Sequence, residues 1–119
     1  MNPIVRKALR ATMAKHVAQG AALLDKQAPG WADEISLIDL DMSDPEVCVV
    51  GQLYETGAIG DPWGSAYRQG LHLLNIDPNL DAAVYFGFED IFGDYAELTE
   101  LWTREIQARR STPRRDDHA

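Results

Sequence analysis

The 119-residue chain carries 19 acidic against 11 basic residues, a net charge of −8, with 45 % hydrophobic residues and a single cysteine. A chain of this length buries about two thirds of its unfolded surface in one core, so it folds without metals, and one cysteine excludes an internal disulfide. No dozen-residue apolar run follows the basic start, so the sequence predicts a cytoplasmic protein that is neither exported nor inserted in a membrane, and nothing in it calls for a cofactor.

The charge is unevenly spread. Residues 1–27 hold five bases and one acid, residues 28–103 hold fifteen acids and one base (Arg68), and residues 104–119 hold five arginines and three acids. Basic ends packing on an acidic middle is one reading; an acidic surface shown to a basic partner, which also repels phosphates and so argues against direct nucleic-acid binding, is the other.

A first helix is predicted from Pro3, with Asn2 as cap, to about Gln27. Val5, Leu9, Met13, His16, Val17 and Leu24 fall near helical spacing, and Gly20 costs it roughly 1 kcal/mol. His16, on or beside that stripe, reads as a hydrogen-bonded packing residue rather than a ligand. "APGW" ends the helix, because Pro29 disfavours helical geometry at Ala28 and Gly30 permits a turn, and Trp31 should plug the core.

In "EISLIDLDM" the residues Ile38, Leu40 and Met42 alternate with Asp39 and Asp41, but no second alternating run exists to pair with them. The stretch is expected to be an extended piece or a short helical turn packed by its apolar residues, leading to a cap at Ser43 or Asp44 and a helix opening at Pro45. That helix contains Val47, Cys48, Val49, Val50, Leu53 and Tyr54, apolar around nearly its whole girth, so it reads as a buried central helix in which Gly51 lets another helix approach. Cys48 would need a lowered pKa and solvent access to act as a nucleophile; Asp44 and Glu46 beside it push the other way, so an inert buried thiol is expected. Gln52, if buried, must place its amide, and the backbone of the Trp31 segment is the expected partner.

The glycines of "ETGAIGDPWGSAYRQG" lack the Gly-Lys-Ser/Thr of a phosphate loop, and Asp61 stands where an anion would bind. Asp61 as cap and Pro62 as first residue open a helix to about Asn75, with Trp63, Tyr67, Leu71 and Leu74 on one face. Trp63 either pins the loop to the core or anchors an interface, and with Asp61 and Tyr67 it forms the candidate protein-binding site. Asp77, Asn79 and Asp81 match the first three ligands of a calcium loop, but Ala82 and Phe88 stand where its glycine and bidentate glutamate belong. Asp39, Asp41 and Ser43 fail in the same way, and His16, His72 and His118 lack zinc spacing, so no metal site is assigned. Tyr85, Phe86 and Phe88 are assigned to the core. Asp94 and Glu97 make a capping box for a last helix striped by Ile91, Tyr95, Leu98, Trp102 and Ile106, with Arg109 and Arg110 compensating its C-terminal dipole.

The succession "GW", "IDLDM", "CVVGQLY", "Y..GL..L", "GF", "YAELTELW" and "ARR", from about Gly30 to Arg110, resembles small proteins of actinobacteria and their bacteriophages whose activity is uncharacterised. The resemblance implies a phage or prophage accessory protein and brings no catalytic residues or cofactor with it. The expectation is therefore an all-α fold of about four helices around a central buried helix, as a single helical domain over residues 1–110 with a disordered tail over 111–119. Its expected function is noncatalytic binding of a protein, a basic one if the acidic middle is the contact. An acidic inhibitor that imitates nucleic acid is the alternative, and a small enzyme using Cys48 or the carboxylates comes last, because no convergent acid, base and oxyanion set can be named.

Overall fold

A computed structural model describes residues 3–54, 70–76, 80–90 and 93–110. The protein is all-α, with no strand among those residues. Its helices are α1 (Pro3–Gln27), α2 (Trp31–Glu34), α3 (Val49–Leu53), α4 (Leu80–Tyr85) and α5 (Tyr95–Arg110), with further helical backbone at 70–73. More and shorter helices are present than the four expected.

The two long helices, α1 and α5, lie against each other and run parallel. Arg10 pairs with Glu97 and Glu100 near their starts, and Asp25 pairs with Arg109 near their ends. A parallel pair obliges the chain between them to travel back along their full length, and the short elements lie on that return. α2 packs on the C-terminal end of α5. The Met42 N–H then donates to Thr99 Oγ1 at 2.9 Å, further back along α5, and α4 lies on α1.

α1 buries Met13, Val17, Ala21 and Leu24, while Ile4 and Val5 remain in solvent, so the inner stripe begins later than its spacing suggested. Facing it, α5 buries Leu98, Leu101, Trp102 and Ile106. Trp102 is the hub. Phe88 stacks on it at 5.5 Å, Trp31 meets it edge-on at 5.7 Å, and its indole N–H donates to the Gly87 carbonyl at 2.7 Å. Trp31 fills the core as its position predicted.

Two glycines make that hub possible. A Cβ on Gly20 would stand 1.9 Å from the Phe86 carbonyl oxygen, so the residue that seemed only to weaken α1 is where the following chain crosses it. Gly87 sits at φ 72°, and a Cβ there would meet Val17 Cα at 2.7 Å. It also ends α4: its N–H reaches Val84 O and that of Phe88 reaches Ala83 O, the paired bonds of a left-handed helix terminus. The same pair closes the helix at 70–73, where Asn75 at φ 61° replaces glycine and Leu71, Leu74 and Ile76 are buried.

The segment 35–54 departs most from expectation. No helix opens at Pro45. Asp44 accepts from Glu46, Val47 and Cys48 N–H groups, which closes a turn, and α3 is a five-residue helix with Cys48 as its N-cap. Gly51 admits no neighbouring helix; a Cβ there would strike the Pro45 carbonyl oxygen at 2.1 Å, so it lets the preceding turn fold back on α3. Val49, Val50 and Gly51 are buried, as foreseen for the centre of the chain. Leu40 and Met42 are buried too, but the turn at 37–39 throws Ile38 outward, 98 % exposed, instead of packing it. Tyr85, assigned to the core, is also half exposed, edge-on to Phe86 at 4.8 Å, and only Phe88 of that trio is fully buried.

The arginines at the end of α5 do more than offset its dipole. Arg109 forks onto Asp25, Nε to Oδ1 at 2.8 Å and Nη2 to Oδ2 at 2.7 Å, and lies over the Trp31 ring. Trp31 Nε1 donates to the same carboxylate at 2.9 Å. Arg110 donates to the carbonyls of Ala32 and Ile35, closing the C-terminal end of α2. Of the capping box, Asp94 Oδ1 accepts from the Glu97 N–H at 3.2 Å, but the Glu97 carboxylate turns to Arg10.

Two outcomes test this packing. Gly20→Ala should destabilise by about 2 kcal/mol or more in urea unfolding, against the helix-propensity gain of about 1 kcal/mol, because the added carbon meets backbone. Gly30→Ala, at φ 84° with nothing within 4 Å, should cost only about 1 kcal/mol of backbone strain. The Arg109 fork, opposed by partial burial and aided by Trp31, holds the Asp25 carboxyl below its ordinary 3.8. A depressed native pKa stabilises above the unfolded value and is lost as pH falls through the native one. Asp25→Asn should therefore lower the Tm at pH 7 and make the wild-type loss of stability below pH 3.8 shallower.

Candidate functional site

Cys48 and Gln52, the pair with the most chemical promise in the sequence, are both spent on structure. The Cys48 sulfur accepts from the Gly51 N–H at 3.3 Å and lies 3.7 Å from the Pro45 carbonyl. Burial pushes its thiol up to about 12, with Glu89 and Asp44 adding to the rise against the Gly51 N–H, so the nucleophilic thiolate is suppressed. Gln52 clamps Ser36 by both backbone groups: its Oε1 accepts from Ser36 N at 2.7 Å, and its Nε2 donates to Ser36 O at 3.1 Å and to Val47 O at 2.9 Å. This ties α3 to the residues just after α2, as expected of a half-buried amide that needs partners.

The clamp holds a turn whose shape is over-determined. Ser36 Oγ donates to Asp39 at 2.9 Å, Arg110 holds the Ile35 carbonyl, and Asp41 accepts from both the N–H and the hydroxyl of Ser43. Asp39 and Asp41, of the calcium-like spacing at 39–43, are thus engaged in turn bonds, Asp77 and Asn79 of the other spacing lie outside the described residues, and no group of three metal-binding side chains occurs among the described residues. Ile38 stands at the tip. Residues 33–46 carry six acids, Asp33, Glu34, Asp39, Asp41, Asp44 and Glu46, all exposed and with no base among them.

A second feature is a cleft of about 180 Å³ between α1 and the chain that joins α4 to α5. Leu9, Met13, Val84 and Leu98 give it apolar walls, Thr12 and His16 line it from α1, and Gly87, Glu89 and Asp90 line it from the chain after α4. His16 packs beside Tyr85, ring centroids 6.3 Å apart. Asp90 is the one charged side chain buried among the described residues, and its Oδ2 accepts from the Asp94 N–H at 2.6 Å. Glu89 accepts from the Tyr95 hydroxyl at 2.7 Å, and burial together with that carboxylate pushes the phenol up to about 12, so it stays a neutral donor.

The interface candidates Trp63, Asp61 and Tyr67 lie outside the described residues. Ile38 and the cleft were both missed by the sequence reading. The alternation of Ile38 with Leu40 and Met42 predicts a packed side chain, which the turn at 37–39 overrides. The cleft is assembled from three separate segments, and only the position of His16 on the α1 stripe hinted at it. No helix among the described residues is long and apolar enough to cross a membrane.

The thiol supplies a test with a definite sign. A native pKa near 12 against an ordinary 9.0 gives stability that is full below pH 9 and is lost as pH rises towards 12. Cys48→Ala should flatten part of the alkaline fall in Tm. At pH 7 it should cost about 1 kcal/mol for the lost cap, with Cys48→Ser costing less, and wild type should react with a thiol reagent only as fast as it opens.

No family model, curated protein or solved structure matches this chain.

Proposed function

We propose that the chain is a protein-binding module that acts without catalysis and docks through the acidic turn carrying Ile38. The observation that supports this is an apolar side chain 98 % exposed on a backbone fixed by Gln52, Arg110 and Ser36. An anchor already held in place gives up little conformational entropy on docking, and anchors of this kind dominate interface energetics. The flanking carboxylates suit a partner that offers an apolar pocket with a basic rim, since such complementarity sets register and excludes acidic competitors. Trp63, with Asp61 and Tyr67, is the second anchor of the same reading. A role as a phage or prophage accessory factor acting on a host protein rests on the sequence resemblance alone.

The run of six acids without a base favours a second reading, an inhibitor that imitates nucleic acid and engages its partner by charge. Affinity purification with the full chain, followed by binding measurements on the partner it identifies, separates the two. For an anchored interface, Ile38→Ser or Trp63→Ala should weaken binding by about 2 kcal/mol with a shallow salt response. For a mimic, affinity should fall at least about tenfold between low and physiological salt, DNA should displace the partner, and neither substitution should matter.

A further inference from the structure

We infer that the cleft between α1 and the α4–α5 connection receives Ile38 of a second copy of this chain, so that two chains pair. The inference rests on the reading of the Ile38 turn as a docking surface and names a partner for it. The cleft has apolar walls, Leu9, Met13, Val84 and Leu98, around about 180 Å³. An apolar cavity of roughly 150 Å³ admits a group the size of benzene, so the cleft takes one isoleucine side chain and little more. The Thr12 hydroxyl that lines it donates back to the Ala8 carbonyl at 3.1 Å and asks nothing of an occupant. Ile38 is the matching piece: at 98 % exposure it fills no pocket of its own chain, and its turn is already fixed by Gln52, Ser36 and Arg110. Entry into the cleft removes apolar surface from water on both sides at little cost in order.

Charge favours the same match. On α1, Arg6 lies three and seven positions before Leu9 and Met13, and Lys15 lies three after Thr12, so the two bases flank the lining row. Both are exposed, and neither pairs with an acid among the described residues, whereas Arg10 is held by Glu97 and Glu100. The turn brings Asp39 and Asp41 beside Ile38, bonded only to the neutral groups of Ser36 and Ser43. Glu89 and Asp90 belong to the wall across from α1, so repulsion turns the incoming acids towards Arg6 and Lys15 and sets the direction of entry. Pocket and turn are different patches, so two insertions related by a two-fold axis close a dimer. Each insertion is small and the net charge of −8 opposes approach, which places the dissociation constant on the order of a hundred micromolar.

The test is sedimentation of the full chain from about 10 µM to about 1 mM. The mass should rise from one chain towards two across that range, and Ile38→Ser should weaken pairing at least about tenfold. The Ile38→Ser chain keeps its cleft, so ¹⁵N-labelled Ile38→Ser titrated with unlabelled wild type should show shifts at the amides of Leu9, Thr12, Met13, Val84 and Gly87. Adding Arg6→Glu and Lys15→Glu to the labelled chain, both at exposed positions, should weaken that titration at least about fivefold. A chain that stays single at millimolar concentration overturns the inference. So does pairing unchanged by Ile38→Ser, a set of shifts confined to residues away from the cleft, or a titration indifferent to the charge reversals. If the chain stays single while Ile38→Ser still weakens the complex with a partner captured by affinity purification, the self-pairing falls and the protein-binding reading stands.

Discussion

The bond from the Trp102 indole to the Gly87 carbonyl organises this protein. It fixes the largest side chain of α5 to the turn that ends α4, and that turn lies directly on the α1 backbone because Gly20 and Gly87 present no side chain there. Three distant parts of the sequence therefore meet within one hydrogen bond and two close backbone contacts. Phe88 and Trp31 complete the packing on the two sides of the indole. A buried carbonyl and a buried indole N–H satisfy each other, so neither polar group weakens the core it sits in.

The charge pattern has a matching logic. The excess bases of the two ends are partly consumed within the fold: Arg10 reaches the acids of α5, Arg109 joins Asp25 and Trp31, and Arg110 closes α2. Asp39, Asp41 and Asp44 on the turn instead accept from serine hydroxyls and backbone N–H groups, which are neutral and bring no positive charge with them. Negative charge is thereby gathered on the turn of Ile38, while the α1–α5 seam is locally compensated.

α1 and α5 were legible because each is long, periodic and terminated by recognisable chemistry: Pro29 and Gly30 stop the first, and Asp94 starts the last. The middle was not, for a physical reason. A run apolar on every side, as at Val47–Leu53, looks the same whether it is a long buried helix or a turn plus five helical residues, and the choice fell to Asp44 and Cys48, whose side chains compete for backbone N–H groups. Ile38 misled because alternation presumes an extended backbone, and the Ser36–Asp39 bond bends it. Gln52 was readable because its need for partners is local and strong. The cleft was not, because Leu9, Val84 and Leu98 come together only through tertiary packing.

The parallel arrangement of α1 and α5 carries a consequence for how the chain acquires its structure. Asp25 and Arg109 are 84 positions apart, so the seam between the long helices is a late, non-local contact whose loop-closure cost is met before any of its packing is gained. During synthesis the α1 stripe gains the turn at Gly87 on Val17 first, and the cover of Trp102 and Ile106 only when α5 has been made. The seam can therefore close only once α5 exists, whereas local turns such as that at Asp44 need no distant partner.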